Sequence, residues 1–441
     1  MSLLNALDET FCIAEELTSL EKLTGILDAE LLEQAFQHAG VATVRKRRLP
    51  LDAVLWSVIG MSLFRQESVW DIASKLEISL PGKHKLVAPS ALVQARQRLG
   101  CEAVMHTFNG LSSRCFEEQS FEQWFGLNLL AVDGVMYRTQ DTPENRAAFK
   151  SDKNAQGHNS YPQVRMCCLM EVSSHLVLAS EFDSRDIGEM TLAQRLIGHV
   201  PDNSLTLFDK GYYSLGLLHS WQRAGSNAHW MLPARKDLQF ETIKQLNKND
   251  AIVLLSTSPQ ARKKFPNLPQ QIEARLTEYQ ADGNTYRVLS SLTDPMRYPY
   301  EALTEIYTER WEIELGFREM KQTLLHSTHV LRSKKPDMVR QELWGLLLAY
   351  NLVRIAMIDA TKEEETSPNR LSFSHCARHV MVFLTTIPIR SAGKLPIHYE
   401  GLLETLRLFE LPDKRPDRKY PRAVRKKPTK YPIKRNASQL N

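Results

Sequence analysis

From Leu127 to Leu232 the chain alternates short apolar runs with amphipathic stretches, an order that suits a mixed α/β sheet. "LNLLAVDG" reads as a strand ending at Asp133-Gly134. "YPQVRMCCLMEV" and "HLVLASEF" read as a strand pair joined at Ser173-Ser174. A helix over Glu189–His199 precedes "SLTLFDKGYY", a short strand ending at Asp209, with Gly211 two residues on. Another helix, Leu215–Ala224, leads to a strand at His229–Leu232.

Before this region, helical periodicity recurs in Asp28–Ala39, Leu51–Phe64, Val69–Leu76 and Ser90–Leu99, so residues 1–118 read as an all-helical N-terminal domain. "SVWDIASKL", a turn with Pro81-Gly82 and "SALVQARQRL" resemble a helix–turn–helix, with Arg96 and Arg98 on or near its second helix. Most amphipathic helix pairs bind no DNA, so this pattern alone is weak. Between His229–Leu232 and Tyr307, strands are expected at Ala251–Ser256, Ile272–Tyr279 and Tyr286–Leu292, a β-rich insertion over about 236–300. The expected organisation is therefore residues 1–118, an α/β domain over 119–361, a helical region over 362–412 and a tail over 413–441.

Composition narrows the classes. At 43% hydrophobic and 24% charged residues, the 441-residue chain reads as an ordinary globular protein of two or three domains. Its N-terminus has acids where a signal peptide has a basic region. The most apolar segment, Leu343–Ile358, is interrupted by Asn351 and Arg354 and falls short of the ~20 residues a membrane span requires. The six cysteines lack C-x-x-C spacing and read as small buried residues of a reducing compartment. His375 and His379 are four apart without an H-E-x-x-H glutamate, which favours a surface or packed role over metal binding.

Charge is unevenly spread over a net +5. From Asp413 onward eleven Lys/Arg face two Asp, a net +9, and prolines from Pro412 to Pro432 forbid a stable helix there. The first 43 residues carry eight acids and one lysine, followed by the basic block Arg45–Arg48. Basic blocks on an otherwise mildly acidic chain suit a polyanionic partner, although a tail of this kind can equally be solvated.

"YTERWEIELGFREMKQ", Tyr307–Gln322, reads as one helix. At about 100° per residue, Tyr307, Arg310, Glu314 and Lys321 share a sector roughly 60° wide. Beside them runs an apolar stripe of Ile306, Ile313, Phe317, Met320 and Leu324, while Glu309, Glu312 and Glu319 point elsewhere. A solvated face with i,i+4 pairs would look similar taken alone. Asp133 and Asp209 add the missing context, since each ends an apolar run just before a glycine, and functional groups gather at the carboxyl ends of strands. With Glu314 they could supply oxygen-only ligands for a hard cation, Mg²⁺ or Mn²⁺. Two such ions suit phosphoryl displacement, with Arg310, Lys321 and Tyr307 holding the phosphates of a nucleic-acid strand. The residues alone also fit a metal-dependent nuclease, or a DNA-binding regulator whose α/β region is only structural.

The spacing Y-x2-R-x3-E-x6-K at Tyr307, Arg310, Glu314 and Lys321 resembles the signature of the insertion sequence 4 family of DDE transposases. "AVDG" with Asp133 and "DKGYY" with Asp209 are similar to that family's two acidic blocks, and the likeness extends over about residues 50–390. The resemblance implies a ribonuclease-H-like core with a β insertion. It also implies cut-and-paste transposition, with nicking, a hairpin intermediate and strand transfer by a 3′-hydroxyl. Asp133, Asp209 and Glu314 would be the catalytic metal ligands for Mg²⁺, with Mn²⁺ substituting. The partners implied are double-stranded DNA, as terminal inverted repeats and target, and a second copy of the chain in a synaptic homodimer, in the bacterial cytoplasm at the nucleoid and without a membrane. Relatives stabilise a flipped base with an aromatic residue of the insertion; Trp230 lies beside that region but matches no motif and reads as a core residue.

Overall fold

The computed structural model describes residues 26–41, 50–76, 88–151, 153–154, 157–158, 161–281, 284–326, 330–364, 366–386 and 392–412. The acidic N-terminal stretch up to residue 25, Cys12, Arg45–Arg48, the Pro81-Gly82 turn and the tail from Asp413 lie outside the described residues. The described residues through Glu410 belong to one compact unit.

The N-terminal region is helical: α1 Ala29–His38, α2 Leu51–Leu63, α3 Val69–Lys75 and α4 Pro89–Glu118. Asp28 caps α1 by accepting from the Leu31 N–H at 2.8 Å. α4 kinks at Gly100, whose φ of 71° is available to glycine at little cost. Strands β1 Gln123–Trp124 and β2 Leu127–Arg138, helix α5 Pro143–Phe149 and a small hairpin, β3 Lys153–Asn154 with β4 Gly157–His158, follow. Next come β5 Gln163–Glu171, β6 Val177–Ser184, α6 Glu189–Arg195, β7 Ser204–Phe208, α7 Leu215–Gln222 and β8 Ala228–Pro233.

The segment read as an insertion supplies β9 Glu241–Asn247, β10 Asp250–Ser256, α8 Pro259–Lys264, β11 Gln271–Ala281 and β12 Asn284–Ser290. Helices α9 Tyr300–Ile306, α10 Trp311–Glu319, α11 Pro336–Thr361, α12 Phe373–Thr386 and α13 Leu395–Arg407 complete the chain. The sheet order is β6-β5-β2-β7-β8-β12-β11-β10-β9, with β1 added beside β2. The insertion strands therefore prolong the central sheet. β2, β7 and β8 are mutually parallel, and the other pairs are antiparallel.

Helices cover both faces of the half of the sheet formed by β6, β5, β2, β7 and β8. On one face Ala131, Val135, Leu205 and Leu207 pack in a cluster with Ile313 and Phe317 of α10 and with α2, α4 and α11. On the other, Leu130, Val132 and Phe208 pack with Leu192 of α6 and Trp221 of α7. Strand alternation explains the split. It also separates neighbouring Cys168 and Cys167 onto opposite faces, as their adjacency on one strand predicts. The cysteines among the described residues are free thiols. Trp230 is fully buried and donates to Gln222, so it is a core residue. His375 and His379 flank the ring of Phe409 near the surface.

Two expectations need correction, and a third gains detail. The strand carrying Asp133 runs on to Arg138, because β5 continues to pair with it after β7 has departed at Val132–Phe208. The apolar segment around Leu343 belongs to a 26-residue helix, long and apolar enough to span a membrane by those measures alone; 94% of its most apolar window is buried inside the protein, which makes it a core helix. Arg96 and Arg98 both lie on α4, as expected, but Arg96 faces inward. It is buried, donates to Gln341 Oε1 at 3.0 Å, and locks α4 onto α11, whereas Arg98 is exposed.

Candidate active site

The parallel register of β2 and β7 builds the site. Val132 stands opposite Phe208, and each is followed by an aspartate, Asp133 still within β2 and Asp209 just past the end of β7. Neighbouring strands lie about 4.8 Å apart, and alternation turns both aspartates toward the face covered by α10. The segment opposite is not one uniform helix. Tyr307–Arg310 is a tight 3₁₀ turn, Trp311–Glu319 is α-helical, and Met320–Leu324 forms a π-turn. A 3₁₀ turn eclipses residues three apart, which aligns Tyr307 with Arg310.

Asp133, Gly134, Glu314, Arg318, Lys321 and Gln322 line a cleft of about 390 Å³. Arg310 reaches across it, 3.0 Å from Glu314 Oε1 and 3.8 Å from Asp133 Oδ2. Asp209 and Tyr307 lie alongside. The Tyr307 hydroxyl donates to the Phe208 carbonyl at 3.1 Å, tying this turn to the end of β7.

Electrostatics follow from burial and this crossing of charges. Burial pushes the Asp133 carboxyl up to about 6, and Glu189 and Glu314 add to the rise. The Gly134 N–H, which donates to Asp133 Oδ1 at 2.7 Å, and Arg310 oppose it. Burial also raises the Tyr307 phenol, which stays a protonated donor. For Arg310 burial works against the charge, but Tyr307, Glu314 and Asp209 outweigh it and raise its pKa. Burial lowers the pKa of Lys321, whose ammonium lies 5.8 Å from the centre of the Tyr137 ring.

The cleft thus gathers two of the three expected carboxylates with their cations, and strand register sets the third beside them. A transposase DDE domain matches residues 124–352, and an insertion element 4 transposase N-terminal region matches residues 17–109. Transposase InsG for insertion sequence element IS4 of Escherichia coli (strain K12) is 47% identical over 421 residues, 95% of each chain. This chain belongs to the IS4 family of DDE transposases. It is an enzyme of DNA strand cleavage and transfer. Putative transposase InsZ of the same E. coli strain is 37% identical to this transposase over 49% of its chain and 72% of InsZ. The piggyBac transposase synaptic complex with hairpin DNA is 9% identical, with a TM-score of 0.42 over 90% of this chain and 86% of that one, a likeness too loose to carry any argument.

DDE domains generally use divalent metal ions. The donors here fit one in chemistry: they are carboxylate oxygens, the ligands a hard divalent cation selects. Their convergence is less complete than the sequence reading expected. Among the described residues no three carboxylate, imidazole or thiol groups come together as a cation cage. Like charges do not gather without a counter-charge, and here the Arg310 guanidinium supplies it.

Sequence reasoning missed several residues of this region. Arg318 lines the cleft, a role that its i,i+4 spacing from Glu314 could have signalled. Glu312 and Glu319, assigned only to another side of the helix, are held in a buried network with His175, Arg354 and Tyr350. Glu189 lies against the strand residue next to Asp133. No local signal marks Glu312, Glu319 or Glu189 in these roles, because their partners are distant in the chain.

Proposed function

We propose that this transposase moves its insertion sequence by cut-and-paste, through divalent-metal-dependent hydrolysis and strand transfer at the element's inverted-repeat ends. The observation that carries the reading is the pairing of Val132 with Phe208, which sets Asp133 and Asp209 side by side on the face opposite Glu314. Asp133, Asp209 and Glu314 are the catalytic residues and would hold Mg²⁺, with Mn²⁺ as a substitute and two ions as the working number. When bound, such ions activate an attacking oxygen and stabilise a leaving one. Glu314 becomes available to them as Arg310 exchanges carboxylate partners for a DNA phosphate, which its planar fork suits equally well. Lys321 serves a second phosphate, and Tyr307 holds Arg310's turn against the end of β7 and contacts the same DNA strand.

The core order β6-β5-β2-β7-β8, with two antiparallel strands followed by parallel ones, supports a ribonuclease-H-like reading of residues 119–361 interrupted by the insertion. In this reading residues 1–118 and the basic tail bind the terminal repeats, residues 362–412 brace the core, and two copies act together on the ends and target. The reaction belongs to the bacterial cytoplasm, on the nucleoid. The test is a set of three variants, Asp133→Asn, Asp209→Asn and Glu314→Gln, assayed on a labelled element end. Each is expected to lose Mg²⁺-dependent cleavage while still retarding end DNA in a gel. Cleavage retained by any one removes that residue from the site.

A further inference from the structure

Gly134 follows Asp133 on β2, and its position belongs to the opposite face of the sheet, with Leu130 and Val132. The space a side chain would take is filled by Glu189. A Cβ at residue 134 would lie 2.5 Å from Glu189 Cγ and 2.8 Å from its Oε1. The Glu189 and Asp133 carboxylates therefore abut the same residue, Asp133 through the Gly134 N–H and Glu189 over its Cα.

Two ordinary explanations fall short. Glu189 opens α6, where a negative charge is stabilised by only ~0.3–1 kcal/mol. Its carboxylate pairs with Arg165 at 3.3 Å, but its side chain is 39% exposed, and a pair so solvated is worth under about 1 kcal/mol. Neither requires a missing side chain at residue 134. Arg165 itself has a buried Nε with no hydrogen-bond partner. The arrangement parallels the other face of β2, where Arg310 spans Asp133 and Glu314. On each face an arginine is paired with a carboxylate beside the middle of β2, where β7 departs.

We propose that Glu189 is a fourth carboxylate of the catalytic centre, adding its charge from the α6 side to the hold on the cation at Asp133. This rests on the reading of Asp133 as a metal ligand. Gly134 is then the residue that admits Glu189 to the centre.

The test measures Mn²⁺ binding to the full chain by the loss of the free-ion electron paramagnetic signal, without DNA or catalysis. Glu189→Gln is expected to weaken Mn²⁺ binding about tenfold, the scale on which supporting groups of a metal site act. Gly134→Ala displaces the same carboxylate with its charge intact and is expected to weaken binding in the same direction. The double variant should be no weaker than Glu189→Gln alone. A purely structural role for Glu189 would lower the thermal midpoint in chelator and leave Mn²⁺ affinity at the parent value; that result overturns the proposal. Asp133→Asn run in parallel separates the two readings. If it too leaves Mn²⁺ affinity unchanged, the assignment of Asp133 fails; if it abolishes binding while Glu189→Gln does not alter it, only the role of Glu189 fails.

Discussion

Glu319→Gln removes one charge from the network at the end of α10. Glu319 accepts from the Arg354 guanidinium and from the Tyr350 hydroxyl at 2.8 Å. Arg354 also donates to His175 Nδ1 at 2.7 Å, which sets the Nε2–H tautomer that donates to Glu312 at 2.8 Å. Burial works to raise the Glu319 carboxyl, but the Arg354 guanidinium overcomes it and holds it at about 2. Against an ordinary 4.5, at about 1.4 kcal/mol per pKa unit, that corresponds to roughly 3 kcal/mol of stability. The Glu319 side chain is 21% exposed, so solvent trims the figure only modestly. Removing one partner of a buried pair costs about 3–5 kcal/mol, which agrees. Because the pKa is depressed in the folded state, this stability is present above the ordinary pKa and is lost as pH falls from 4.5 toward 2. Urea unfolding near neutral pH should show Glu319→Gln less stable than the parent by about 3 kcal/mol, with the difference shrinking in acid. A difference below about 0.5 kcal/mol at neutral pH, or one that persists undiminished in acid, refutes the reasoning.

Other outcomes follow from other contacts. Asp250→Asn should destabilise the insertion by about 3–5 kcal/mol in thermal or urea unfolding, since both carboxylate oxygens accept from buried Arg275, at 2.8 and 2.6 Å. Arg96→Ala should lower stability by about 1–3 kcal/mol by orphaning Gln341, yet leave the salt dependence of DNA binding at the parent slope, as titrations at several salt concentrations would reveal. Lys321→Ala should weaken end binding and reduce that slope by about one phosphate contact; an unchanged slope removes Lys321 from the DNA surface.

Much of this protein was legible in short windows of sequence. The apolar runs at Leu127–Val132 and Ser204–Phe208, the helical periods before residue 118 and the spacing of Tyr307, Arg310, Glu314 and Lys321 each depend on backbone geometry repeating every two or about four residues. Such patterns settled the α/β class and pointed to Asp133, Asp209 and Glu314. They could not say where β2 ends, because Asp133 is exposed to the cleft by the departure of β7, a neighbour some seventy residues away. The same limit applied to charge. Glu319 and Arg96 have the local context of surface residues, and only packing against Arg354 and Gln341 buried them. Likewise Gly134 reads as a turn signal until Glu189 is seen filling its place. A side chain's propensity is a property of its own few neighbours in the chain, whereas its dielectric surroundings and its counter-charge are set by residues that only the tertiary fold brings near.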